Sequence, residues 1–162
     1  MYKRQPEIDQ NKILEQVVSL CNGRLKNYGN FDFFKNIQVI TPTKKGILGT
    51  KELNKILQEK LNQKVEGDIE KQSMGATFRV GDRVMQIKNN YDIFWEKRGN
   101  TYETGTGVFN GELGTIKIID DIEKRIKILF DDEKIAWYSY QDLEQIEHAY
   151  AITVHKAQRK RI

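Results

Sequence analysis

One cysteine, two histidines and two prolines in 162 residues leave little room for several kinds of chemistry. Cys21 has no second cysteine to pair with, so no intrachain disulfide forms and a cysteine-based zinc site is not expected. Two histidines and one cysteine build no credible Ser-His-Asp or Cys-His centre. His148 and His155 stand seven positions apart with no matching carboxylate spacing, so no metal site is expected. No Gly-x-x-x-x-Gly-Lys-Ser/Thr occurs, which removes the loop that cradles nucleotide phosphates. No apolar run approaches the roughly 20 residues that span a bilayer, and Met1-Tyr2-Lys3-Arg4 leads into polar sequence. A secretory signal or membrane anchor is therefore not expected, and a reducing cytoplasm fits.

What is present describes a globular chain, with 38% hydrophobic and 31% charged residues. The net charge of +4 points only weakly towards nucleic acid, because residues 1–70 carry 12 Lys/Arg against 9 Asp/Glu and residues 71–162 carry 15 against 14. Three of those 15 sit in Arg159-Lys160-Arg161. Local geometry has to carry the argument.

Over residues 8–27, Ile13, Leu14, Val17, Val18, Cys21 and Leu25 fall on one helical face behind Asp9 as N-cap, and Gly23 with 27–30 mark the end. Ile37-Gln38-Val39-Ile40 predicts a buried strand that Pro42 terminates. A loop with Lys44, Lys45, Gly46 and Gly49 leads to a second helical period at Leu53, Ile56, Leu57 and Leu61. Residues 63–76 are polar and contain glycine, and predict a linker. Beyond them the period becomes two. Phe78/Val80, Val84 to Ile87, Thr115 to Ile119, Arg125 to Phe130 and Ile135 to Tyr138 predict five short strands, with turns at Gly81-Asp82, Asn110-Gly111, Asp120-Asp121 and Asp131-Asp132. This spacing predicts a small antiparallel barrel of the Src-homology-3 type, with Trp137 in its core and a long functional or mobile loop over 90–108. The domains expected are thus an α/β frame over 1–62, the linker, a barrel over 77–145, and a return to the frame over 146–162.

Ala149-Tyr150-Ala151-Ile152-Thr153-Val154-His155-Lys156-Ala157-Gln158 sets a hydroxyl, an imidazole, an ammonium and a carboxamide in an apolar frame, as a helix or as a strand entering one. Thr153 and His155 can each donate to a phosphate oxygen without reading base identity, and Lys156 adds charge. The loop of Lys44, Lys45 and Gly46 follows the carboxyl end of a strand, where open α/β sheets bind ligands; a solvated basic loop fits equally. Asn89, Asn90 and Tyr91 combine two carboxamides with a stackable ring, which suits single-stranded nucleic acid or a packed turn. Trp95 either stacks on a base or anchors its loop. No catalytic residue is expected in this chain.

Three blocks resemble the RecD/TraA family of superfamily-1 helicases, the kin of the exodeoxyribonuclease V alpha subunit. They are Gln38 to Gly46 with Gly49, Leu53-Asn54 and Leu57-Gln58; Phe78 to Gln86 with Asn89 to Asp92 and Val108 to Gly114; and the 149–158 run. The family continues with Gly-Ser-Glu after the residue matching Gln158, where this chain reads Arg159-Lys160-Arg161-Ile162. The resemblance implies an incomplete second RecA-like motor domain (P-loop-NTPase-type, α/β) with an inserted small antiparallel β-barrel, from an ATP-dependent 5′-to-3′ DNA helicase. It implies DNA contacts from Thr153, His155 and Lys156. It sets Lys44, Lys45 and Gly46 along the cleft between motor domains, near nucleotide or DNA, with Gln158 where the family couples DNA to the nucleotide. ATP and Mg2+ belong to the full-length parent and none is expected on this segment, since the first motor domain's P-loop and a late arginine finger lie outside it. Single-stranded DNA and the N-terminal motor domain of the same protein are the partners implied. Any helicase or nuclease complex is left open. The competing expectation is a stand-alone small-barrel module that binds protein or nucleic acid without catalysis.

Overall fold

The computed structural model describes residues 9–25 and 37–159. Helix α1 spans Gln10–Ser19 and runs into a π-helical turn, Leu20–Arg24. Asp9 is its N-cap, the carboxylate accepting from Asn11 N at 3.0 Å. Strand β1 is Val39–Thr41 and helix α2 is Thr50–Leu61. Then follow β2 (Glu70–Ser73), β3 (Ala76–Arg79), β4 (Arg83–Gln86), β5 (Asn90–Arg98) and β6 (Tyr102–Val108). Strands β7 (Leu113–Asp120), β8 (Arg125–Phe130) and β9 (Ile135–Ser139) lead through a 3-10 turn, Tyr140–Gln145, to β10 (Ile146–His148), β11 (Ala151–Thr153) and helix α3 (Val154–Arg159). The expected helix end at 27–30 and the basic tail beyond Arg159 lie outside the described residues.

The protein is mixed α/β with one large antiparallel sheet. Strands β1 and β11 pair in parallel, Val39 opposite Ala151 and Thr41 opposite Thr153. The two helices cover this pair through Cys21, Leu53, Leu57, Tyr150 and Ala151, with Leu14, Val17 and Val18 packed against them. Asn54 holds the strand from the helix side, its amide donating to Ala151 O at 3.0 Å and accepting from Ala151 N at 2.8 Å. The seven-stranded sheet runs β10-β4-β7-β8-β9-β5-β6. Its core is Val84, Val108, Ile116, Ile126, Ile128, Phe130 and Tyr138 with their neighbours. All four residues of β4 are buried. Val84 faces that core, while Met85 packs with Leu113, Ala149 and Ile152 against the parallel pair. Strand β4 is therefore the seam between the two parts.

Three expectations are corrected. The polar 63–76 stretch is not all linker, because β2 pairs antiparallel with β3. Its polar side chains do work there: Glu70 bonds Lys64 and Arg79 at 2.8 and 3.1 Å. The 90–108 segment is a hairpin and not a loop, β5 against β6. Its glycines reflect ring packing, since a Cβ on Gly105 would lie 2.4 Å from Trp95 Cζ2; Trp95 thus anchors its own strand pair. Finally, Ala136 and Tyr138 face the core at 1% exposure, so Trp137 lies on the opposite face. Asn110-Gly111 does form a tight turn, Glu112 N donating to Phe109 O at 3.1 Å. It joins β6, at one edge, to β7, which pairs with β4 and β8, so the two flanking strands are not hairpin partners.

Candidate nucleic-acid interface

Because β1 and β11 run in parallel and in register, the loop after β1 and helix α3 leave the same edge of the sheet. Thr41 fixes the loop, its hydroxyl donating to Leu48 O at 2.6 Å. A depression at this edge is lined by Lys44, Thr50, Glu147, His148, Thr153 and Lys156, among others. The structure thus brings together Lys44, Thr153 and Lys156. Lys45 and Gly46 are exposed on the same loop, and His155 and Gln158 are exposed on α3 without lining the depression. The Gly49, Thr50 and Lys51 N–H groups donate to the Gly46, Thr43 and Lys44 carbonyls, so those three are engaged within the loop.

Thr153 is 8% exposed, and its Oγ1 accepts from Lys156 N at 3.3 Å. A hydroxyl that accepts in this way still carries its own proton to donate. Lys156 Nζ donates to Asn110 Oδ1, and Asn110 N donates to Asn89 Oδ1 at 2.9 Å. Asn90 is turned to structure: its amide donates to Gln145 Oε1 at 2.9 Å and accepts from Asp92 N at 3.0 Å. Tyr91 is 68% exposed and meets Phe109 edge to face, centroids 5.4 Å apart. Asn110 and Phe109 are the residues that sequence reasoning missed. The Lys156 contact spans 46 positions and leaves no local pattern.

Behind the depression Asp82 is wholly buried and accepts five hydrogen bonds. Tyr150 Oη and Asn62 Nδ2 reach Oδ1 at 2.7 and 2.8 Å. Gln58 Nε2, Arg79 N and His148 Nε2 reach Oδ2 at 2.8, 2.8 and 2.9 Å. Burial by itself pushes the Asp82 carboxyl up, but the hydrogen bond and electrostatic attraction from His148, with the Asn62 and Tyr150 donors, hold it below the usual carboxylate range. Burial, then the Asp82 charge, pushes the Tyr150 phenol well above its ordinary value. Among the described residues no group of three or more His, Cys, Asp or Glu is arranged to hold a metal.

Residues 53–130 match the model of the SH3 domain of ATP-dependent RecD-like DNA helicases. The chain belongs to the RecD-like family. An ATP-dependent RecD2 DNA helicase of Deinococcus radiodurans is 33% identical over 122 residues, 75% of this RecD-like chain and 14% of that protein. An uncharacterized protein of Methanocaldococcus jannaschii is 31% identical over 91% of the chain, again 14% of its own length. The RecBCD subunit RecD of Buchnera aphidicola is 26% identical over 77% of the chain and 19% of the subunit. The RecD-like chain therefore spans under a fifth of these curated relatives. Among solved structures, a Bacteroides Pif1 helicase in complex with ADP-AlF3 and single-stranded DNA aligns with 97% of the chain and 42% of its own, at 17% identity and a TM-score of 0.44. Among the described residues of the RecD-like chain, no helix is long and apolar enough to cross a membrane.

Proposed function

We propose that this chain is part of the second RecA-like motor domain of an ATP-dependent 5′-to-3′ DNA helicase, interrupted by a small Src-homology-3-like barrel, and that it grips single-stranded DNA. The α/β frame would be residues 1–62 and 146–162, the barrel 77–145. The observation that supports this best is the depression at the carboxyl edge of β1 and β11, where Lys44, Thr153 and Lys156 converge. It continues through Asn110 and Asn89 towards the Tyr91 and Phe109 rings. Two ammonium groups suit phosphates as point charges, Thr153 adds a neutral donor, and the rings offer a surface to bases. Nothing in this arrangement reads base identity, as a translocating motor requires. His155, exposed on α3, is a further candidate donor to the backbone.

ATP with Mg2+ would be held mainly by the P-loop of the first motor domain, the intramolecular partner of this one. The chain alone is expected to turn over no ATP. Its affinity for labelled oligothymidylate, read by fluorescence anisotropy, should fall with salt. Lys44→Ala with Lys156→Ala should flatten the log–log salt slope by about 1.4, at roughly 0.7 for each single-strand phosphate contact. Tyr91→Ala should weaken binding by about 1–3 kcal/mol. If all three substitutions leave both quantities unchanged, the depression is not the binding site.

A further inference from the structure

Alternation along β8 and β9 sends Ile126, Ile128, Ala136 and Tyr138 into the core. The register then sets Arg125, Lys127 and Leu129 opposite Ser139, Trp137 and Ile135 on the other face of the sheet. Strand β5 extends that face with Glu96 opposite Ile135, and β6 with Tyr102 opposite Arg98. The Arg125 guanidinium lies 4.0 Å over the Trp137 ring and Lys127 Nζ lies 5.9 Å from it. The Arg125 side chain is still 44% exposed. A guanidinium held over an indole keeps its solvent side for a base and its remaining N–H groups for an anion.

Shielding one indole needs a single basic stem, yet this face also leaves Phe94 57%, Tyr102 65% and Ile118 42% exposed. Asp92 is exposed beside Phe94 on β5, but two other acids of this face are engaged. Glu96 accepts from Arg98 at 2.9 Å and from Tyr102 Oη at 2.8 Å. One oxygen of Asp120 accepts from the Ile122 and Glu123 N–H groups, and the other lies 3.8 Å from Arg125 Nε. Lys127, and Lys117 exposed in the β7 bulge, add positive charge. Phe94 follows Tyr91 by three residues on β5, across the irregularity in the β5–β6 register between Asn90 and Phe94 that re-aims the side chains there.

We propose that this outer face is a second contact surface for single-stranded DNA, carrying the strand on from Tyr91 across Phe94 to Arg125 and Trp137. An acidic peptide would match the cations but offers no rings to the exposed aromatic groups and the stacked guanidinium; a DNA strand offers both phosphates and bases. The inference rests on the reading that the depression binds DNA. Length dependence separates the two.

The test measures anisotropy of the whole chain with oligothymidylates of about 6 and about 20 nucleotides, one near the low end of typical single-strand site sizes and one beyond them. The longer one should bind at least about tenfold more tightly. Arg125→Ala with Trp137→Ala should remove about that tenfold gain and leave the short one unchanged, whereas Tyr91→Ala weakens both. Lys127→Glu, a half-buried position, on a thermal melt matching the unaltered chain, should give the same selective loss. No binding at either length overturns the depression reading. Equal binding at both lengths, with the outer-face variants silent, overturns only this inference. Selective displacement of the long oligonucleotide by polyglutamate, abolished by Lys127→Glu, would also overturn it, in favour of an acidic protein partner.

Discussion

Asp82→Ala is expected to lower stability by about 3–5 kcal/mol, the scale of removing one member of a buried, fully bonded charged network. The loss is large because Asp82, at 0% exposure, satisfies side chains from three places at once. Gln58 comes from α2 and Asn62 from its C-cap, His148 from β10, and Tyr150 from the segment before β11. Without the carboxylate these donors face one another in a dry site. Asp82→Asn keeps the shape but points an NH2 at groups that are themselves donors, so it should cost more than an exposed substitution. The same carboxyl sets an acid limb. Its pKa is lowered on folding, so its contribution is full above the ordinary carboxylate value near ~4 and drains away as pH falls through the depressed folded value. Urea titrations across that range should show the limb in the unaltered chain and its reduction in Asp82→Asn. An alanine variant within about 0.5 kcal/mol of the parent would mean that water or movement satisfies the donors instead.

Gly114→Ala in the centre of the sheet should cost about 1–3 kcal/mol by overpacking, and Gly114→Val more. A Cβ there would stand 2.8 Å from Ile128 Cγ2, 2.9 Å from Leu129 O and 3.2 Å from Phe130 Cα. The first of these is a side chain that can turn, but the other two belong to the backbone of β8, which is itself held by β9. Gly99→Ala is the matched control, since nothing lies within 4 Å of its Cβ position, and it should stay within about 0.5 kcal/mol of the parent. Thermal or urea unfolding of the pair decides it. Equal stability of the two variants would show that β7 and β8 can part to admit a methyl group.

Local patterns were readable where a single side chain or a short period carries the structure. Asp9 caps its helix, Leu53 and Leu57 face inward, and the Asp120-Asp121 and Asp131-Asp132 pairs turn the β7–β8 and β8–β9 hairpins as expected. The misreadings share a cause: the deciding contact lies far away in the chain or on a neighbouring strand. The glycines of β6 looked like loop residues because the ring that requires them, Trp95, belongs to β5. Ile135 and Trp137 looked like the inward pair, but small Ala136 and Tyr138 take that side, with the Tyr138 hydroxyl bonded to Gln86 at 2.7 Å. Asp82 resembled an ordinary turn aspartate, and Asn110 an ordinary turn asparagine. Of the candidate interface, Lys44, Thr153 and Lys156 could be named from their motifs, while the asparagine and phenylalanine that extend it had no signal of their own.

The parallel pairing of β1 with β11 has a kinetic consequence. Gln38 bonds the carbonyl of Tyr150 across 112 positions, so the partner of the first strand emerges only after the whole antiparallel sheet has been made. Loop closure over that distance is entropically unfavourable until the intervening chain has condensed and brought the ends near each other. The edge that carries Lys44, Thr153 and Lys156, built from those late-meeting strands, should then be the last part of the molecule to acquire protection from hydrogen exchange during refolding, after the hairpins of β7, β8 and β9 are already closed.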